Sequence, residues 1–406
     1  MKAIRFHYRP ASYLATRYAR RHAGRVALSR LGSVRADEVE PPSLPGPDWV
    51  RVRTTLSGIC GSDLSALTAH DSFTLEPFGA YPFTFGHENV GTIAEVGPQV
   101  AGAWRVADRV IVNPMLGCRQ RSIEPPCPPC GRGEYGLCRY TDRGTPGPGP
   151  MIGYCPGTGG GWSESFVAHA SQLHPAAELP DEIAVLTDPF ASALRGVLLQ
   201  PPREDDTVLV VGAGTIGVLA VRALRATGWE GEVAVLGRHA FQRELALAAG
   251  ATRVLESPAE AHAWAAALPH ARAYRPSLAP RFVEGGPSLL YDTVGTSSSV
   301  RESIALTREG GRVVLIGAAA RVHLDFTRVW YRQLTIAGIF AYGRAPFRGA
   351  DRDIYESALE LLRHDRLAGL ALVSHTYPLK DYRAAIATAL DKGGARSLKV
   401  AFRPNE

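Results

Sequence analysis

The sequence has no uninterrupted apolar run close to the roughly 18 residues that a membrane-spanning helix needs. Its charge is also mild, since 45 basic against 39 acidic residues give a formal net charge of +6. That excess is too small and too dispersed to indicate a nucleic-acid-binding protein. Hydrophobic residues make up 45% of the chain and charged residues 21%, as in folded globular proteins. With 406 residues the chain is long enough for two domains, and we expect neither nucleic acid nor a membrane among its partners.

Acidic residues are absent from residues 1–30, which hold eight Lys or Arg residues. Organelle transit peptides have a similar composition. The alternating pattern of Met1 to Phe6 instead favours a first β-strand followed by a basic surface element. Because there is also no signal-peptide apolar segment, we expect a cytoplasmic protein.

Cysteine is scarce, with six residues in the chain, but three of them fall in one Pro/Gly-rich loop at Cys127, Cys130 and Cys138. In a chain of this length and expected location, clustered cysteines favour metal binding over disulfides. Glu124 precedes Cys127 by three residues, in phase with the other ligands, and four such groups can close a tetrahedral zinc site. On spacing we expect Glu124 as the fourth ligand, with Cys118 as the alternative.

A second metal site is indicated upstream by Cys60 and His87, which both lie in glycine-flanked segments typical of cleft loops. A catalytic zinc needs about three protein ligands and one open position. The third ligand is a carboxylate, either Glu88 or Asp188. Asp63 suits a supporting role, accepting the second ring N–H of His87.

Strand and helix patterns divide the chain near Pro189. Before it, short alternating strands such as 49–54, 90–96 and 109–112 lie between Gly/Pro turns, so this part is mostly β. After it, strands at 207–211, 232–236, 288–292 and 312–316 alternate with helices at 216–226 and 240–249, which indicates a doubly wound parallel sheet. Residues 257–287 are expected to be an insertion or a long surface loop. The α/β chain is therefore predicted as a catalytic domain (1–187), a nucleotide-binding domain (188–338) and a return to the catalytic domain (339–406), with a helix at 354–364 and a strand at 397–402.

A dinucleotide-binding loop is predicted between the first strand and helix of the second domain, where Gly212, Gly214 and Gly217 have the spacing of that motif. The helix that starts at Thr215 and Ile216 would present backbone N–H groups to a pyrophosphate. The next strand ends in Gly237-Arg238, and no acidic residue occurs from 233 to 243. Because an acidic residue there would hold the ribose of NAD, we expect NADP(H) to be favoured over NAD(H).

These motifs in this order resemble the zinc-containing alcohol dehydrogenases of the medium-chain dehydrogenase/reductase superfamily. The resemblance covers nearly the whole chain and includes Thr187-Asp188-Pro189 at the domain junction. It implies a GroES-like catalytic domain and a Rossmann domain, one catalytic and one structural zinc, and a homodimer or homotetramer. By similarity, Cys60, His87 and Asp188 would hold the catalytic zinc, Glu88 would be a nearby or exchanging ligand, and Ser62 would pass the substrate proton.

Three departures from the family pattern concern Glu124 in place of a cysteine, Ser65 in place of a proton-relaying histidine, and a longer segment between Cys60 and His87. That segment includes His70 and residues 73–78 and is expected to form a substrate wall. The predicted function is hydride transfer between a nicotinamide cofactor and a small alcohol or carbonyl compound. The alternatives are a reductase of C=C or C=N bonds that uses zinc only structurally, and a non-catalytic nucleotide-binding protein.

Overall fold

The computed structural model describes residues 1–19, 22–30, 32–100, 102–176 and 179–406. Arg20 and Arg21 of the basic amino-terminal segment lie outside the described residues. The chain divides into two compact units. The first consists of Met1–Asp188, Tyr342–Arg344 and Ala371–Glu406, and the second of Pro189–Ala341 and Ala345–Leu370. No helix within the described ranges combines the length and apolarity needed to cross a membrane.

The first unit is mostly β. Its elements up to residue 184 are β1 (Lys2–Phe6), α1 (Pro10–Tyr18), α2 (Ala23–Ala27), β2 (Val34–Glu38), β3 (Trp49–Gly58), α3 (Gly61–Leu67), β4 (Phe83–Thr84), β5 (Asn89–Val96), β6 (Arg109–Val112), α4 (Pro128–Gly131), β7 (Ser165–His169), β8 (Leu173–Pro175) and α5 (Asp181–Ala184), with 3-10 turns at Phe73–Phe78, Tyr135–Leu137 and Ala170–Gln172.

The second unit alternates helices and strands. Its elements are α6 (Thr187–Leu199, which starts in the first unit), β9 (Val208–Val211), α7 (Thr215–Ala226), β10 (Val233–Leu236), α8 (Ala240–Ala248), β11 (Arg253–Leu255), α9 (Pro258–Ala266), β12 (Arg272–Tyr274), β13 (Phe282–Glu284), β14 (Leu289–Asp292), α10 (Ser297–Leu306), β15 (Arg312–Leu315), α11 (Thr327–Tyr331), β16 (Thr335–Gly338), β17 (Arg344–Phe347), β18 (Ala350–Asp353) and α12 (Ile354–Asp365), followed by a 3-10 turn at Arg366–Gly369. The first unit then resumes with β19 (Val373–Pro378), a 3-10 turn at Leu379–Asp381, α13 (Tyr382–Leu390) and β20 (Lys399–Arg403).

A seven-stranded sheet forms the centre of the first unit. Its order is β19-β20-β3-β5-β6-β8, and β7 also pairs with β3. Trp49, Val50 and Val52 of β3 are fully or almost fully buried, because β3 lies in the middle of the sheet. The carboxyl-terminal strand β20 pairs antiparallel with β3, matching Phe402 to Ser57. This pairing brings the end of the chain beside the strand that leads to Cys60.

The second unit contains a six-stranded parallel sheet in the order β11-β10-β9-β14-β15-β16. All four residues of β9 and all four of β14 are buried, as expected for central strands covered by helices on both faces. The strand order changes direction at β9, where the chain crosses from one half of the sheet to the other. In such folds nucleotides bind outside the carboxyl ends of the strands at this point.

Two expectations are corrected by the structure. Residues 257–287 are not a long loop, since α9 and the β12–β13 hairpin occupy much of them. The small side chains of alanine give this segment little apolar contrast in the sequence, so its buried face was not recognised. Ala261, Ala265 and Val283 are nevertheless buried in the core of the second unit.

The second correction concerns the return to the catalytic domain, which was predicted from residue 339. Residues 345–370 cluster with the second unit instead. The physical reason is α12, whose Ile354, Tyr355 and Leu362 are buried and whose terminal Asp365 forms an ion pair with Arg222 of α7.

Candidate metal centres and nucleotide site

Cys60 and His87 meet because they flank neighbouring strands. β3 ends two residues before Cys60, β5 begins two residues after His87, and Ser57 pairs with Asn89 in the antiparallel ladder. The thiol of Cys60, the imidazole of His87 and the carboxylate of Glu88 each place a ligand atom within 4.8 Å of the others. We call these three residues the mixed cluster.

Two glycines allow this close approach. A Cβ at Gly58 would lie 1.9 Å from Oε2 of Glu88. Gly86 has φ of +101°, in the left-handed region, and a Cβ there would lie 2.6 Å from the backbone nitrogen of Trp162. A side chain at either position would displace the backbone that carries His87 and Glu88.

Asp63 connects the two halves of the mixed cluster. Its buried carboxylate accepts a hydrogen bond from the Cys60 backbone N–H at 2.9 Å and from the Tyr154 hydroxyl at 3.0 Å. Its Oδ1 also lies 3.4 Å from Nδ1 of His87. Burial alone would lower the pKa of His87, but the negative charge of Asp63 outweighs it, and the pKa is raised well above its ordinary value. Asp63 therefore lies where it supports both Cys60 and His87.

Glu88 is held by a lysine that sequence reasoning did not identify. Nζ of Lys399, on β20, donates to both carboxylate oxygens of Glu88 at 2.6 Å and to the Ile59 carbonyl at 3.3 Å. Both side chains are buried, and the charge of Glu88 overcomes the effect of burial and raises the pKa of Lys399. Spacing gave no hint of this contact, because 311 residues separate the two.

Asp188, the other expected third ligand, lies outside the mixed cluster. The Tyr342 hydroxyl donates to its carboxylate, and among the described residues no lysine or arginine forms an ion pair with it. Burial raises the pKa of Asp188 to about 7, although the nearby charge of His87 lowers it. Of the two carboxylates, Glu88 is thus already neutralised by Lys399, and Asp188 is not.

A second cluster, which we call the cysteine cluster, is made by Cys118, Cys127, Cys130 and Cys138. Their sulfur atoms lie within 4.8 Å of one another. Backbone N–H groups point at the sulfurs: that of Cys127 donates to Cys118 at 3.3 Å, and that of Tyr140 donates to Cys138 at 3.4 Å. A hydrogen bond from the Cys130 thiol lowers the pKa of Cys138 to about 5.

The expectation that Glu124 completes this site is corrected. Glu124 is exposed and does not belong to the cluster, whereas Cys118 is fully buried within it. Cys118 is anchored by tertiary contacts, since its own N–H donates to Cys130 and its carbonyl accepts from Ile123. The sequence analysis named Cys118 as the alternative ligand, but spacing within one loop could not rank it above Glu124, because Cys118 reaches the site from the preceding turn.

The donor atoms of both clusters fit zinc. Four sulfurs around one point match a closed tetrahedral site, and a thiol, an imidazole and a carboxylate match a site that leaves a position for another ligand. His87 supplies an independent sign, because its Nδ1 is buried without a well-formed hydrogen bond. The Asp63 carboxylate lies 3.4 Å from this nitrogen, and a carboxylate beside one ring nitrogen is the usual arrangement that orients a metal-binding histidine.

The glycine loop follows β9 as predicted. Gly212 has φ of +100°, and a Cβ at Gly217 would lie 1.8 Å from the Gly212 carbonyl oxygen, so α7 can pack against the loop only with glycine there. The 12-residue helix α7 begins at Thr215, and no side chain caps it at Gly214. Its first turn can accordingly donate backbone N–H groups to a phosphate.

The turn after β10 contains Gly237 and Arg238. Gly237 is buried, and a Cβ there would lie 2.6 Å from that of Ala213 in the glycine loop, whereas Arg238 is exposed. Sequence reasoning missed Arg243, which donates to the carbonyls of Gly237 and Arg238 at 3.0 and 3.1 Å and contacts Glu256 at 3.2 Å. Arg243 thus stabilises the turn through its backbone carbonyls, and the exposed Arg238 side chain is available to a ligand.

Comparison with known proteins identifies the family of this chain. Residues 46–181 match the alcohol dehydrogenase GroES-like domain, and residues 215–362 match the zinc-binding dehydrogenase family. The chain belongs to the zinc-containing alcohol dehydrogenase family and is a zinc- and NAD(P)-dependent dehydrogenase with a GroES-like and a Rossmann domain. The resemblance inferred from the motifs is confirmed.

Three relatives illustrate the range of this family. The starvation-sensing protein RspB of Escherichia coli is 32% identical over 276 residues, covering 67% of this chain and 70% of its own. L-threonine 3-dehydrogenase of Paraburkholderia xenovorans is 27% identical, covering 89% and 94%. A solved zinc-binding dehydrogenase structure from Sinorhizobium meliloti, bound to NADP, is 26% identical with a TM-score of 0.69, covering 91% and 95%.

Proposed function

We propose that this dehydrogenase transfers a hydride between NADP(H) and a small alcohol or carbonyl compound, with the substrate oxygen at a zinc held by the mixed cluster. The observation that carries the proposal is the convergence of Cys60, His87 and Glu88 within 4.8 Å at one end of the central sheet. Zinc, when bound, supplies Lewis acidity to the substrate oxygen, and the nicotinamide supplies or accepts the hydride.

Cys60 and His87 are the fixed ligands in this proposal. Asp63 holds both, through the Cys60 N–H and beside the His87 ring. We assign the third position to Asp188, because a buried carboxylate without a lysine or arginine partner gains most from a nearby cation. Glu88, which is closer but held by Lys399, is the exchanging ligand.

Ser62 is the proposed proton carrier. It lies in the first turn of α3, two residues after Cys60, and is partly exposed, so a substrate can reach its hydroxyl. The Tyr154 hydroxyl interacts with Ser62 as well as with Asp63. A hydroxyl that reaches a bound alcohol can give or take its proton.

The cysteine cluster is proposed as the structural zinc site. It uses thiolates alone and offers no carboxylate or imidazole for exchange. A closed site of this kind stabilises its loop and takes no part in the reaction.

The preference for NADP(H) is supported by the turn at Gly237. A 2′-phosphate requires space and a cation, and exposed Arg238 supplies the cation where an acidic residue would exclude it. In Arg238→Ala we expect kcat/KM for NADPH to fall about 10- to 100-fold and that for NADH to change little, as for the loss of one charge-assisted hydrogen bond. Equal losses with both cofactors would contradict the preference.

A homodimer or homotetramer is proposed from the edge of the parallel sheet. Among the described strands, β16 pairs only with β15, and the residues around it expose large apolar side chains: Phe326, Trp330, Tyr331 and Phe340. An open edge beside apolar side chains favours association with a second copy. Light scattering of the native protein and of Trp330→Asp would test this, and a monomeric native protein would contradict it. The cytoplasmic location stays a prediction.

The proposed function is tested by spectrophotometric assay of alcohols, polyols and ketones with NADPH and NADH, before and after removal of metal. We expect turnover that needs an alcohol or carbonyl group and that zinc restores. Reduction of a C=C or C=N substrate by the metal-depleted enzyme would instead support the alternative reductase.

A further inference from the structure

A hollow of about 500 Å³ lies in the first unit, where the turn after α2, strand β2 and the start of α13 meet. Three arginines line it, Arg30, Arg35 and Arg383, and no acidic residue does. We call it the arginine hollow. None of its lining residues belongs to a metal cluster or to the glycine loop, and the proposed reaction has no use for it. The hollow therefore needs a separate explanation.

Two of the guanidinium groups are held at the same turn. Arg35, on β2, donates to the Arg30 carbonyl at 3.1 Å. Nε of Arg383, on α13, donates to the Leu28 carbonyl, two residues earlier, at 3.2 Å. The Arg383 guanidinium also lies over the ring of the buried Tyr382, 5.1 Å from its centroid. Each guanidinium has five N–H donors, and each of these hydrogen bonds uses one of them. Two elements that are distant in the chain thus bring their remaining donors to the wall of the hollow.

No carboxylate neutralises this group of arginines. Among the described residues, no aspartate or glutamate forms an ion pair with Arg30, Arg35 or Arg383. Asp37, on the same strand as Arg35, is instead engaged by His7 at 2.6 Å. Three like charges around one hollow repel one another, and an anion bound among them would offset that repulsion.

Strand β2 adds backbone donors, because it lies at the end of its sheet and pairs only with β1 among the described strands. In an antiparallel ladder only alternate residues bond to a given neighbour. The His7 N–H, directly after β1, donates to the Ser33 carbonyl, so Arg35, two residues on, also bonds toward β1. The N–H groups of Val34 and Ala36 accordingly face the open side of the strand, and both residues line the hollow.

We propose that the arginine hollow binds the phosphoryl group of a small phosphate monoester. Arg35 and Arg383 donate to its oxygens, Arg30 adds a third positive charge, and the strand edge at Ala36 supplies a backbone donor. The guanidinium fork matches the oxygen spacing of phosphate, and three positive charges suit a dianion better than a single carboxylate. A hollow of this volume also has room for the rest of such a molecule. The inference does not depend on the proposed function, since it requires neither zinc nor the cofactor.

The test follows the phosphorus NMR line of inorganic phosphate, the probe, on the zinc-loaded protein saturated with NADPH, which keeps phosphate out of the nucleotide site. We expect line broadening with a Kd of about 1 mM or lower. Sulfate, a dianion of the same shape, should displace the phosphate, and acetate should do so at least about 10-fold less well. In Arg35→Gln/Arg383→Gln the affinity should fall about 10- to 100-fold, the effect of losing charged hydrogen bonds. Arg35→Lys/Arg383→Lys keeps the charges without the forks and should lose less.

The matched control is Arg348→Gln/Arg352→Gln, which removes the same two charges from arginines that already pair with Glu360. This variant should bind phosphate as the native protein does, and thermal unfolding verifies that both glutamine variants are folded. Absence of broadening with the native protein, or equal weakening in the two glutamine variants, would overturn the inference. Phosphatidylcholine vesicles containing phosphatidic acid present the same group on a lipid. Flotation with these vesicles but no binding of free phosphate would overturn the assignment to a small molecule.

Discussion

The cysteine cluster and the mixed cluster are built in opposite ways. The cysteine cluster draws four identical ligands from residues 118–138, and backbone N–H groups of the same loop point at its sulfurs. The mixed cluster draws different ligands from the ends of two strands, and its charges are balanced by Lys399 at the far end of the chain. A local site of like ligands closes around its ion, whereas a site assembled by the sheet can keep a position open for a substrate. The comparison therefore supports the proposal that the cysteine cluster provides stability and the mixed cluster provides the chemistry.

The largest expected effect separates these two assignments. Cys60→Ser should reduce kcat by at least about 1,000-fold with little change in Tm, because several kcal/mol of Lewis-acid stabilisation are lost. Cys130→Ser should instead lower Tm by about 10 °C, because the folding free energy supplied by a structural metal is lost. Thermal unfolding and steady-state kinetics on both variants check this. A Cys130→Ser variant that loses activity but keeps the native Tm would contradict the distinction between the two clusters.

The next effect concerns the two carboxylates of the mixed cluster. Asp188→Asn should lose one zinc per chain and about 100-fold in kcat, since it removes a ligand. Glu88→Gln should keep both ions but lose about 3 to 5 kcal/mol of stability, because Lys399 is left charged and buried without its partner. Metal analysis and unfolding measure the two outcomes.

The control for this prediction is the double variant Glu88→Gln/Lys399→Met. Its loss of stability should be smaller than that of Glu88→Gln alone. If Glu88→Gln loses the ion and Asp188→Asn retains it, Glu88 is the third ligand and the assignment to Asp188 is wrong.

A smaller effect tests the composition of the cysteine cluster. Cys118→Ser should lose the structural zinc, and Glu124→Gln should retain it with an unchanged Tm, since Glu124 is exposed outside the cluster. Metal content after exhaustive dialysis distinguishes the two variants. If Glu124→Gln loses its zinc, Glu124 is a ligand of the cysteine cluster, as its spacing in the sequence indicates.

The smallest effect concerns Asp71, a partly buried residue of the segment between Cys60 and His87. The pKa of Asp71 is about 6 in the folded chain, above the value of about 4 for an unfolded aspartate, so the folded state disfavours the ionised form. Asp71→Asn should therefore raise Tm by a few degrees at pH 8. The gain should shrink as pH falls through 6 and vanish below about 4, where the native carboxyl is protonated in both states. A gain that does not depend on pH would show that charge is not its cause.

The sequence was informative where function depends on local spacing. The glycine loop, the Cys60 and His87 segments and the three clustered cysteines could all be recognised, because neighbouring residues in the chain create those features. Four residues could not be ranked as site residues from the sequence: Cys118, Lys399, Tyr154 and Arg243. Their roles arise from strand pairing and turns that bring distant residues together. Residues 257–287 were misjudged for a related reason, since the buried residues of the α9 helix are two alanines and a histidine, which give little apolar contrast.

The most direct measurement of the central claim is the absorption spectrum of the enzyme with cobalt in place of zinc at the mixed cluster. If a substrate oxygen binds at the ion held by Cys60 and His87, a sulfur-to-cobalt band should be present and should shift when an alcohol is added with oxidised cofactor. The band should be missing in Cys60→Ser. An intact band that no substrate alters would contradict the account.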